Sequence, residues 1–251
     1  MITTYIFVIV LMFILVIKFS DQFVHEKMYY KPKHESFNPE NVSNNIAIVT
    51  IATGGYSAHE LISSLRNEGR WNKNIYLFAD NCTTHEENVI ELKKFGNYKS
   101  IDSKLYKMDI LLNTTEDYIL YLDSDIIALR SVYDLLKRIG PWKEICDVYL
   151  SSNMWYSSKK FIWNSGIILA KRNKSEKFLN LWKNTIKNKN YQKTRDRSAL
   201  RMVIESGEVN ACLLSKNTVK YTADISGNLR SIKPPIFQHF VTRKTNVKKC
   251  Y

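Results

Sequence analysis

The sequence from Glu116 to Asp134, EDYILYLDSDIIALRSVYD, decides the fold and contains the main functional candidates. Its segment Tyr118 to Leu122 is a short run of large apolar and aromatic side chains, which is typical of a strand buried on both faces of a sheet. The run leads directly into Asp123 and Asp125, and an apolar segment resumes at Ile126. Two carboxylates at the end of a buried strand cost free energy unless something neutralises them. Because carboxylate oxygens suit magnesium or manganese, this stretch predicts a divalent-metal site, with a turn or capping role as the alternative.

The composition indicates a globular protein with an uneven charge. The chain has 251 residues, of which 45% are hydrophobic, so it is long enough and apolar enough to bury a core. Residues 1–150 contain 16 Lys and Arg against 19 Asp and Glu (net −3), whereas residues 151–251 contain 21 against 5 (net +16). This asymmetry suits a polyanionic partner, either nucleic acid, an anionic lipid or a phosphorylated small molecule, although a solvated lysine-rich surface accounts for most of the charge. We expect no nucleic-acid partner, because no recognisable binding motif accompanies the basic residues.

The first 45 residues predict a membrane anchor and a stem. Residues 2–19 are nearly all apolar, about 18 residues, which at ~1.5 Å per residue is just enough to span a bilayer. We therefore expect a single-pass signal anchor at 1–19, a polar linker at 20–45 and a catalytic domain at 46–251. Lysines follow the anchor and none precedes it, which favours a cytosolic domain, whereas four Asn-x-Ser/Thr sequons allow a lumenal one.

Alternating apolar strands and amphipathic helices predict an α/β fold with a mostly parallel sheet. Strands are expected at 46–52, 74–79, 118–122, 147–151, 161–170 and 236–241. Helices are expected from a Ser57 cap to Asn67, and at 85–95, 103–113, 176–187 and 196–206. Ligands of such sheets bind beyond the carboxyl ends of the strands, so the segment around Thr53 and the pair Asp123 and Asp125 should lie on the same rim. The four cysteines are far apart and contain no CxxC pair, so no zinc site is expected.

Five collinear stretches resemble family eight of the retaining glycosyltransferases, the group that contains glycogenin and the bacterial lipopolysaccharide galactosyltransferases. They are VTIAT at 49–53 with Tyr56 and SLR at 64–66, SKL at 103–105, YLDSD at 121–125, WNSG at 163–166, and HFV at 239–241. The resemblance covers roughly residues 46 to 245. It implies a GT-A fold with a Rossmann-like nucleotide-binding half, and a hexosyltransferase that uses manganese, or magnesium, and a nucleotide sugar, with a UDP-linked sugar favoured over a GDP-linked one.

The same resemblance implies roles for individual residues. The implied metal ligands are Asp123, Asp125 and His239, although a lone strand histidine is by itself more often a satisfied core residue. The implied catalytic residues are Asp196, Asn164 and Lys104. The implied donor-binding residues are Ile51, Thr53, Tyr56, Lys104, Ser124, Asn164, Ser165, Gly166, Arg243 and Lys244. Without the resemblance, Lys104 reads as a surface lysine, Asn164 as a buried hydrogen-bonded amide and Asp196 as a helix N-cap.

Departures from the family pattern leave an alternative open. The family's Asp-Gln pair is Asp196-Arg197 here, and the closing His-Phe motif continues with Val241 and Thr242 instead of glycine. A catalytically silent GT-A-like binding or scaffold protein is therefore the alternative to an enzyme, and a basic nucleic-acid or anionic-lipid binder is a third hypothesis. The acceptor is expected to be a glycan, protein or lipid. Retention of anomeric configuration follows from the resemblance alone, as does a lumenal, Golgi- or ER-like location.

Overall fold

A computed structural model describes residues 45–53, 56–79, 87–94, 104–109, 114–139, 146–155, 160–188, 196–214, 218–221 and 235–239. The strands are β1 (Ile46–Ala52), β2 (Ile75–Ala79), β3 (Val89–Lys94), β4 (Tyr118–Leu122), β5 (Ile126–Ala128), β6 (Val148–Trp155), β7 (Lys160–Lys171), β8 (Ala211–Leu213), β9 (Val219–Tyr221) and β10 (Phe237–His239). The helices are α1 (His59–Asn67), α2 (within 104–109), α3 (Val132–Ile139), α4 (Arg172–Lys187) and α5 (Asp196–Glu205).

The central sheet has seven strands in the order β3-β2-β1-β4-β7-β6-β8. The pairs β3-β2, β2-β1, β1-β4 and β6-β8 are parallel, whereas β7 runs antiparallel to both β4 and β6. The predicted mixed, mostly parallel sheet is therefore confirmed. Every residue of β1 is buried, as expected for a strand that is covered by helices on both faces.

Helices cover both faces of this sheet. Alternate residues of β1 enter two separate cores: Ile48 packs on the side of α1 and α3, and Val49 packs on the side of α2, α4 and α5. The second core contains large side chains from α4, among them the fully buried Trp182. Because burying one large apolar side chain contributes about 1.5–3 kcal/mol, these two layers hold the sheet rigid beneath its rim.

A second, three-stranded sheet joins β10, the last described strand, to β5, which follows the acidic pair Asp123 and Asp125. β10 pairs antiparallel with β5 and parallel with β9, in the order β5-β10-β9. In this register His239 stands opposite Ile126, the residue that follows Asp125. The late strand predicted from the sequence therefore exists, but it lies outside the central sheet.

The prediction of a helix at 85–95 is wrong for residues 89–94. Val89–Lys94 forms β3, the edge strand of the central sheet, which pairs parallel with β2. Its Glu and Lys residues favour a helix locally, but pairing with a neighbouring strand overrides local propensity, and an edge strand tolerates charged side chains.

The helix predicted at 176–187 begins four residues earlier, at Arg172. Arg172 Nε and Nη2 donate hydrogen bonds to Glu116 O, so contacts with the segment just before β4 fix this helix end.

Two residues of the SLR stretch have structural roles. Arg66 of α1 donates hydrogen bonds to four backbone carbonyls in the loops before β2 and β3, those of Trp71, Lys73, Glu87 and Asn88. Ser64 Oγ accepts a hydrogen bond from Ala128 N at 2.9 Å, which ties α1 to β5. Ser57 also differs slightly from expectation: its Oγ accepts a hydrogen bond from His59 N, while Ala58 takes the N-cap position.

Several parts of the sequence interpretation lie outside the described residues, among them the predicted anchor at 1–19, the predicted linker at 20–45 except its last residue, and the basic segment with Arg243 and Lys244. Among the residues that are described, no helix is both long and apolar enough to cross a membrane.

Candidate active site

The acidic turn, Asp123-Ser124-Asp125, connects β4 of the central sheet to β5 of the small sheet. Ile126 N donates a hydrogen bond to Asp123 O at 3.1 Å, which closes a tight turn of four residues. β4 is parallel to β1, so the turn lies at the carboxyl rim where Ile51 and Thr53 also lie. The position predicted for the acidic pair is the one observed.

His239 faces this turn because of the pairing between β10 and β5. His239 Nε2 lies 3.1 Å from Asp125 Oδ1 and 3.9 Å from Asp123 Oδ2, and its side chain is only 4% exposed. One ligand atom from each of the three residues lies within 4.8 Å of the others. We call this group the Asp-Asp-His cluster.

The Asp-Asp-His cluster fits a divalent metal ion. Ligand atoms about 2.1 Å from an octahedral Mg²⁺ are ~3.0 Å apart when adjacent and ~4.2 Å apart when opposite. The observed separations of 3.1 and 3.9 Å from His239 Nε2 fall within this range. The donor set of two carboxylates and one imidazole suits manganese as well as magnesium. These three residues could therefore hold an ion without rearrangement of the backbone.

The two oxygens of Asp123 face different partners. Lys107 Nζ donates a hydrogen bond to Asp123 Oδ1 at 2.9 Å, and Tyr121 Oη donates to the same oxygen at 2.7 Å. Oδ2 faces His239 instead. Burial alone would raise the pKa of the Asp123 carboxyl, but the Lys107 ammonium, the His239 imidazole and these hydrogen bonds hold the pKa below its ordinary value. Asp123 is therefore ionised at neutral pH, as a metal ligand must be.

Tyr121 shows the opposite electrostatic effect. Its ring is buried beneath the turn, and burial together with the Asp123 carboxylate raises the pKa of the Tyr121 hydroxyl well above its usual value. The hydroxyl consequently stays protonated and remains a hydrogen-bond donor to Asp123. The Lys107 ammonium lies 4.3 Å from the centre of the same ring, a distance at which a cation is attracted to an aromatic face.

Lys107 is a site residue that the sequence interpretation missed. It lies on α2 with its side chain 7% exposed, and a buried ammonium is costly unless it is paired. Lys104, the predicted residue, is 32% exposed, and its Nζ lies 3.9 Å from Asp196 Oδ1. No local signal in the sequence marks Lys107, because a lysine on a helix is exposed by default.

The segment Ser165-Gly166-Ile167 is a bulge in β7 that approaches the acidic turn. Leu150 of β6 pairs with Ile168, whereas the next residue, Ser151, pairs with Asn164, so the three intervening residues have no counterpart in β6. We call these residues the β7 bulge. Asp123 N donates a hydrogen bond to Gly166 O at 2.9 Å, which ties the bulge to the turn.

The three residues predicted to line the donor sugar lie in or beside the β7 bulge. Asn164 is buried and its Oδ1 accepts a hydrogen bond from Gly166 N at 2.7 Å, whereas no described group accepts a hydrogen bond from its Nδ2. Gly166 packs against the imidazole of His239 so closely that a Cβ there would lie 2.5 Å from His239 Cε1. The third residue, Ser165, donates a hydrogen bond to Asp196 Oδ2 at 2.9 Å. The bulge thus contacts both the Asp-Asp-His cluster and Asp196.

Asp196 is the first residue of α5, and the structure directs its carboxylate to the site. Its Oδ2 accepts the hydrogen bond from Ser165, and its backbone carbonyl accepts one from Trp182 Nε1 at 3.1 Å. Of the remaining predicted residues, Ser124 lies within the turn and Tyr56 lies exposed beyond the end of β1. Arg243 and Lys244 lie outside the described residues.

The mixed sheet, its helix layers and an acidic turn at the rim define the GT-A type of glycosyltransferase fold. No protein-family model matches this sequence, and no curated protein matches it. Solved structures do match. The apo form of the glycosyltransferase GlyE from Streptococcus pneumoniae TIGR4 is 18% identical with a TM-score of 0.58, over 78% of this chain and 54% of GlyE. The galactosyltransferase LgtC in complex with donor and acceptor sugar analogs is 11% identical with a TM-score of 0.58, over 78% of this chain and 87% of LgtC.

These comparisons confirm the predicted resemblance at the level of the fold. The chain spans about half the length of GlyE, and at such low identity the shared feature is the backbone architecture. The chemistry of this chain therefore has to be argued from its own residues.

Proposed function

We propose that this protein is a metal-dependent glycosyltransferase that moves a sugar from a nucleoside diphosphate sugar, UDP-linked, to a glycan, protein or lipid acceptor. The observation that carries the proposal is the Asp-Asp-His cluster at the carboxyl rim of a GT-A sheet. Asp123, Asp125 and His239 would hold Mn²⁺ or Mg²⁺. When bound, such an ion would stabilise the negative charge that develops on the departing nucleoside diphosphate.

The residues around the cluster support binding of an anionic donor. Lys107 and Lys104 place two ammonium groups beside the acidic residues, and Arg243 and Lys244 are the proposed further contacts to the diphosphate. Thr53 and Tyr56, beyond the end of β1, are proposed with Ile51 to contact the nucleotide base. These assignments extend the resemblance and rest on position along the rim.

Asn164 supports a sugar-binding role for the β7 bulge. A buried amide NH₂ group without an acceptor costs about 1–3 kcal/mol, so such a group in a folded protein needs an explanation. A hydroxyl oxygen of a bound donor sugar would supply the acceptor. For transfer with retention, which we infer from the resemblance alone, Asp196 would stabilise the positively charged sugar or orient the acceptor.

The direct test is a nucleotide-sugar panel. The purified full-length chain is incubated with UDP- and GDP-linked sugars, with and without manganese, and release of free nucleoside diphosphate is measured. We expect metal-stimulated release from at least one UDP-sugar. A catalytically silent relative would instead bind UDP, with a thermal shift corresponding to about 2.7 kcal/mol at 100 times its Kd, and release no sugar. Absence of both binding and release for every nucleotide would contradict the proposal.

The metal part of the proposal has its own variant pair. Asp125→Asn keeps the shape of the side chain and removes its charge, so metal-stimulated turnover should fall by at least ~100-fold while the fold persists. Asp134→Asn is the matched control, because it removes a carboxylate on α3 that pairs with Arg130 at 2.6 Å and does not belong to the Asp-Asp-His cluster. Equal turnover in Asp125→Asn and Asp134→Asn would remove Asp125 from the mechanism.

We further propose that residues 1–19 anchor the protein in a membrane and that the catalytic domain faces an oxidising compartment. A disulfide joins Cys146 and Cys212, with their Cα atoms 5.9 Å apart, at the start of β6 and in β8. Disulfides persist in the ER lumen and outside the cell and are rare in the cytosol. This bond supports the lumenal orientation over the cytosolic one that the flanking lysines favour.

A further inference from the structure

Ser165 occupies an unusual position for a residue predicted to line the donor sugar. Its side chain is buried, and its hydroxyl lies between a cation and an anion: Lys107 Nζ at 3.4 Å and Asp196 Oδ2 at 2.9 Å. Lys107 Nζ also donates to Asp123 Oδ1 at 2.9 Å. A continuous hydrogen-bonded path therefore connects Asp123 of the acidic turn to Asp196 through Lys107 and Ser165.

The direction of each hydrogen bond along this path is fixed by chemistry. An ammonium group has donors and no acceptor, whereas an ionised carboxylate has acceptors and no donor. The single hydroxyl proton of Ser165 must therefore point at Asp196, and a lone pair of its oxygen must face Lys107. The hydrogen bond from Ser165 to Asp196 has a charged acceptor, and such bonds are about twice as strong as bonds between neutral groups. The contact of 3.4 Å between Lys107 and Ser165 is longer and therefore weaker.

The hydroxyl of Ser165 also decides where the Asp196 carboxylate lies. The backbone of Asp196 is held independently, because its carbonyl accepts a hydrogen bond from the buried Trp182. The other carboxylate oxygen, Oδ1, lies 3.9 Å from Lys104, whose side chain is partly exposed. Without the hydroxyl, the attraction between Lys104 and Oδ1 would remain, but Oδ2 would lose the hydrogen bond that fixes its position.

We propose that Ser165 is a positioning residue whose hydroxyl holds the Asp196 carboxylate at a fixed place relative to Lys107 and the acidic turn, and that this hydroxyl is not a ligand of the donor sugar. The proposal rests on the proposed function, because it assigns Asp196 to the reacting centre. It differs from the role that the resemblance implied for Ser165.

The first test is the kinetics of Ser165→Ala in the full-length chain. A misplacement of ~1 Å at a reacting centre costs about 100-fold in rate, so kcat for donor turnover should fall by roughly 10- to 100-fold. The KM for the donor and the affinity for manganese should stay within about twofold, because neither depends on this hydroxyl. Ser165→Thr, which keeps the hydroxyl, should recover most of kcat. Ser175→Ala, which removes an equally buried hydroxyl from α4, is the matched control and should keep wild-type kcat.

A double-mutant cycle with Asp196→Ala tests the contact itself. If Ser165 acts through Asp196, then Ser165→Ala should lower kcat no further in the Asp196→Ala background. The melting temperatures provide a readout that does not need turnover. Ser165→Ala and Asp196→Ala remove the same hydrogen bond, so their losses in Tm should be less than additive.

Each outcome has a distinct meaning. A raised KM for the donor with intact kcat in Ser165→Ala would make Ser165 a donor ligand and overturn the proposal. If the losses in both kcat and Tm from Ser165→Ala and Asp196→Ala are additive, the hydrogen bond between the two side chains has no effect on either quantity, and the proposal is overturned. If the wild-type chain releases nucleoside diphosphate from no donor, the proposed function fails. The Tm cycle then still decides whether Ser165 holds Asp196.

Discussion

Gly166→Ala tests whether the position of His239 depends on a glycine in the β7 bulge. A Cβ added at Gly166 would lie 2.5 Å from His239 Cε1, 2.9 Å from His239 Nδ1 and 2.9 Å from Asn164 Oδ1. Carbon atoms in contact are normally about 3.5–4.0 Å apart. The imidazole must therefore retreat by about 1 Å to make room for one methyl group.

A retreat of this size is large for a metal site. His239 Nε2 lies 3.1 Å from Asp125 Oδ1, and functional metal–ligand distances hold to about ±0.2 Å. The strand that carries His239 is paired with β5, so the ring must rotate or the small sheet must shift. We expect the affinity for manganese to fall by about 10- to 100-fold, the range seen when groups that orient metal ligands are lost. Overpacking of this kind also costs about 1–3 kcal/mol of stability.

The assay measures metal binding directly. Manganese is titrated into the full-length chain, free Mn²⁺ is followed by electron paramagnetic resonance, and the melting temperature is recorded without metal. Gly207→Ala is the control, because Gly207 has a φ of +73° and a Cβ there would meet nothing within 4 Å. That variant should lose stability through backbone strain and keep its manganese affinity.

A second variant separates the steric effect from other causes. In His239→Ala the imidazole is gone, so adding Gly166→Ala should cost little further manganese affinity. Its cost in stability should be smaller than in the wild type but not zero, because the approach of 2.9 Å to Asn164 Oδ1 remains. The reasoning is refuted if Gly166→Ala binds manganese as tightly as the wild type and melts no lower than Gly207→Ala. In that case the imidazole either moves at no cost or contributes nothing to the metal site.

Two further predictions follow from the side chains at the rim and at the sheet edge. Lys107→Met should reduce kcat by at least ~100-fold and cost about 1.5–3 kcal/mol of stability, because Asp123 loses a charged hydrogen-bond donor. Lys104→Met should change kcat by roughly threefold or less, because the ammonium group of Lys104 is partly exposed and 3.9 Å from Asp196. Steady-state kinetics and thermal melts compare the two variants, and a larger loss of kcat in Lys104→Met would support the catalytic role predicted for Lys104. Under non-reducing conditions Cys146 and Cys212 should resist alkylation in the protein isolated from its natural source, as measured by mass spectrometry. Full alkylation of both in the folded protein would contradict the proposed compartment.

The sequence predicted the central sheet well because its strands are locally distinctive. The runs at 46–52 and 118–122 are uniformly apolar, and such runs can be buried on both faces only inside a covered sheet. The prediction failed at β3 because this strand lacks such a distinctive apolar run. Val89–Lys94 lies at the sheet edge, where pairing on one side replaces the need for an apolar composition, and its local preference then points to a helix.

The site residues that belong to recognisable motifs were predicted from the sequence. Lys107, whose place in the site depends on how α2 packs, was missed. The resemblance named His239, but nothing local to residues 236–241 indicates that this strand would leave the central sheet and pair with β5. Lys107 was missed because a lysine on a helix is exposed by default. Its burial follows from the placement of α2 against Tyr121 and Asp123, which single-sequence periodicity does not encode.

Asp123 shows how the chain tolerates an acidic turn at the end of a buried strand. One of its oxygens is neutralised by the protein itself, through Lys107 and Tyr121, so the turn does not need an ion in order to fold. The other oxygen faces His239, as does Asp125, the more exposed of the two acidic residues. Of the three residues of the proposed metal site, Asp125 and His239 are therefore the two that take no part in this internal neutralisation. For this reason charge removal at Asp125 separates metal binding from folding, whereas the same change at Asp123 would disturb both.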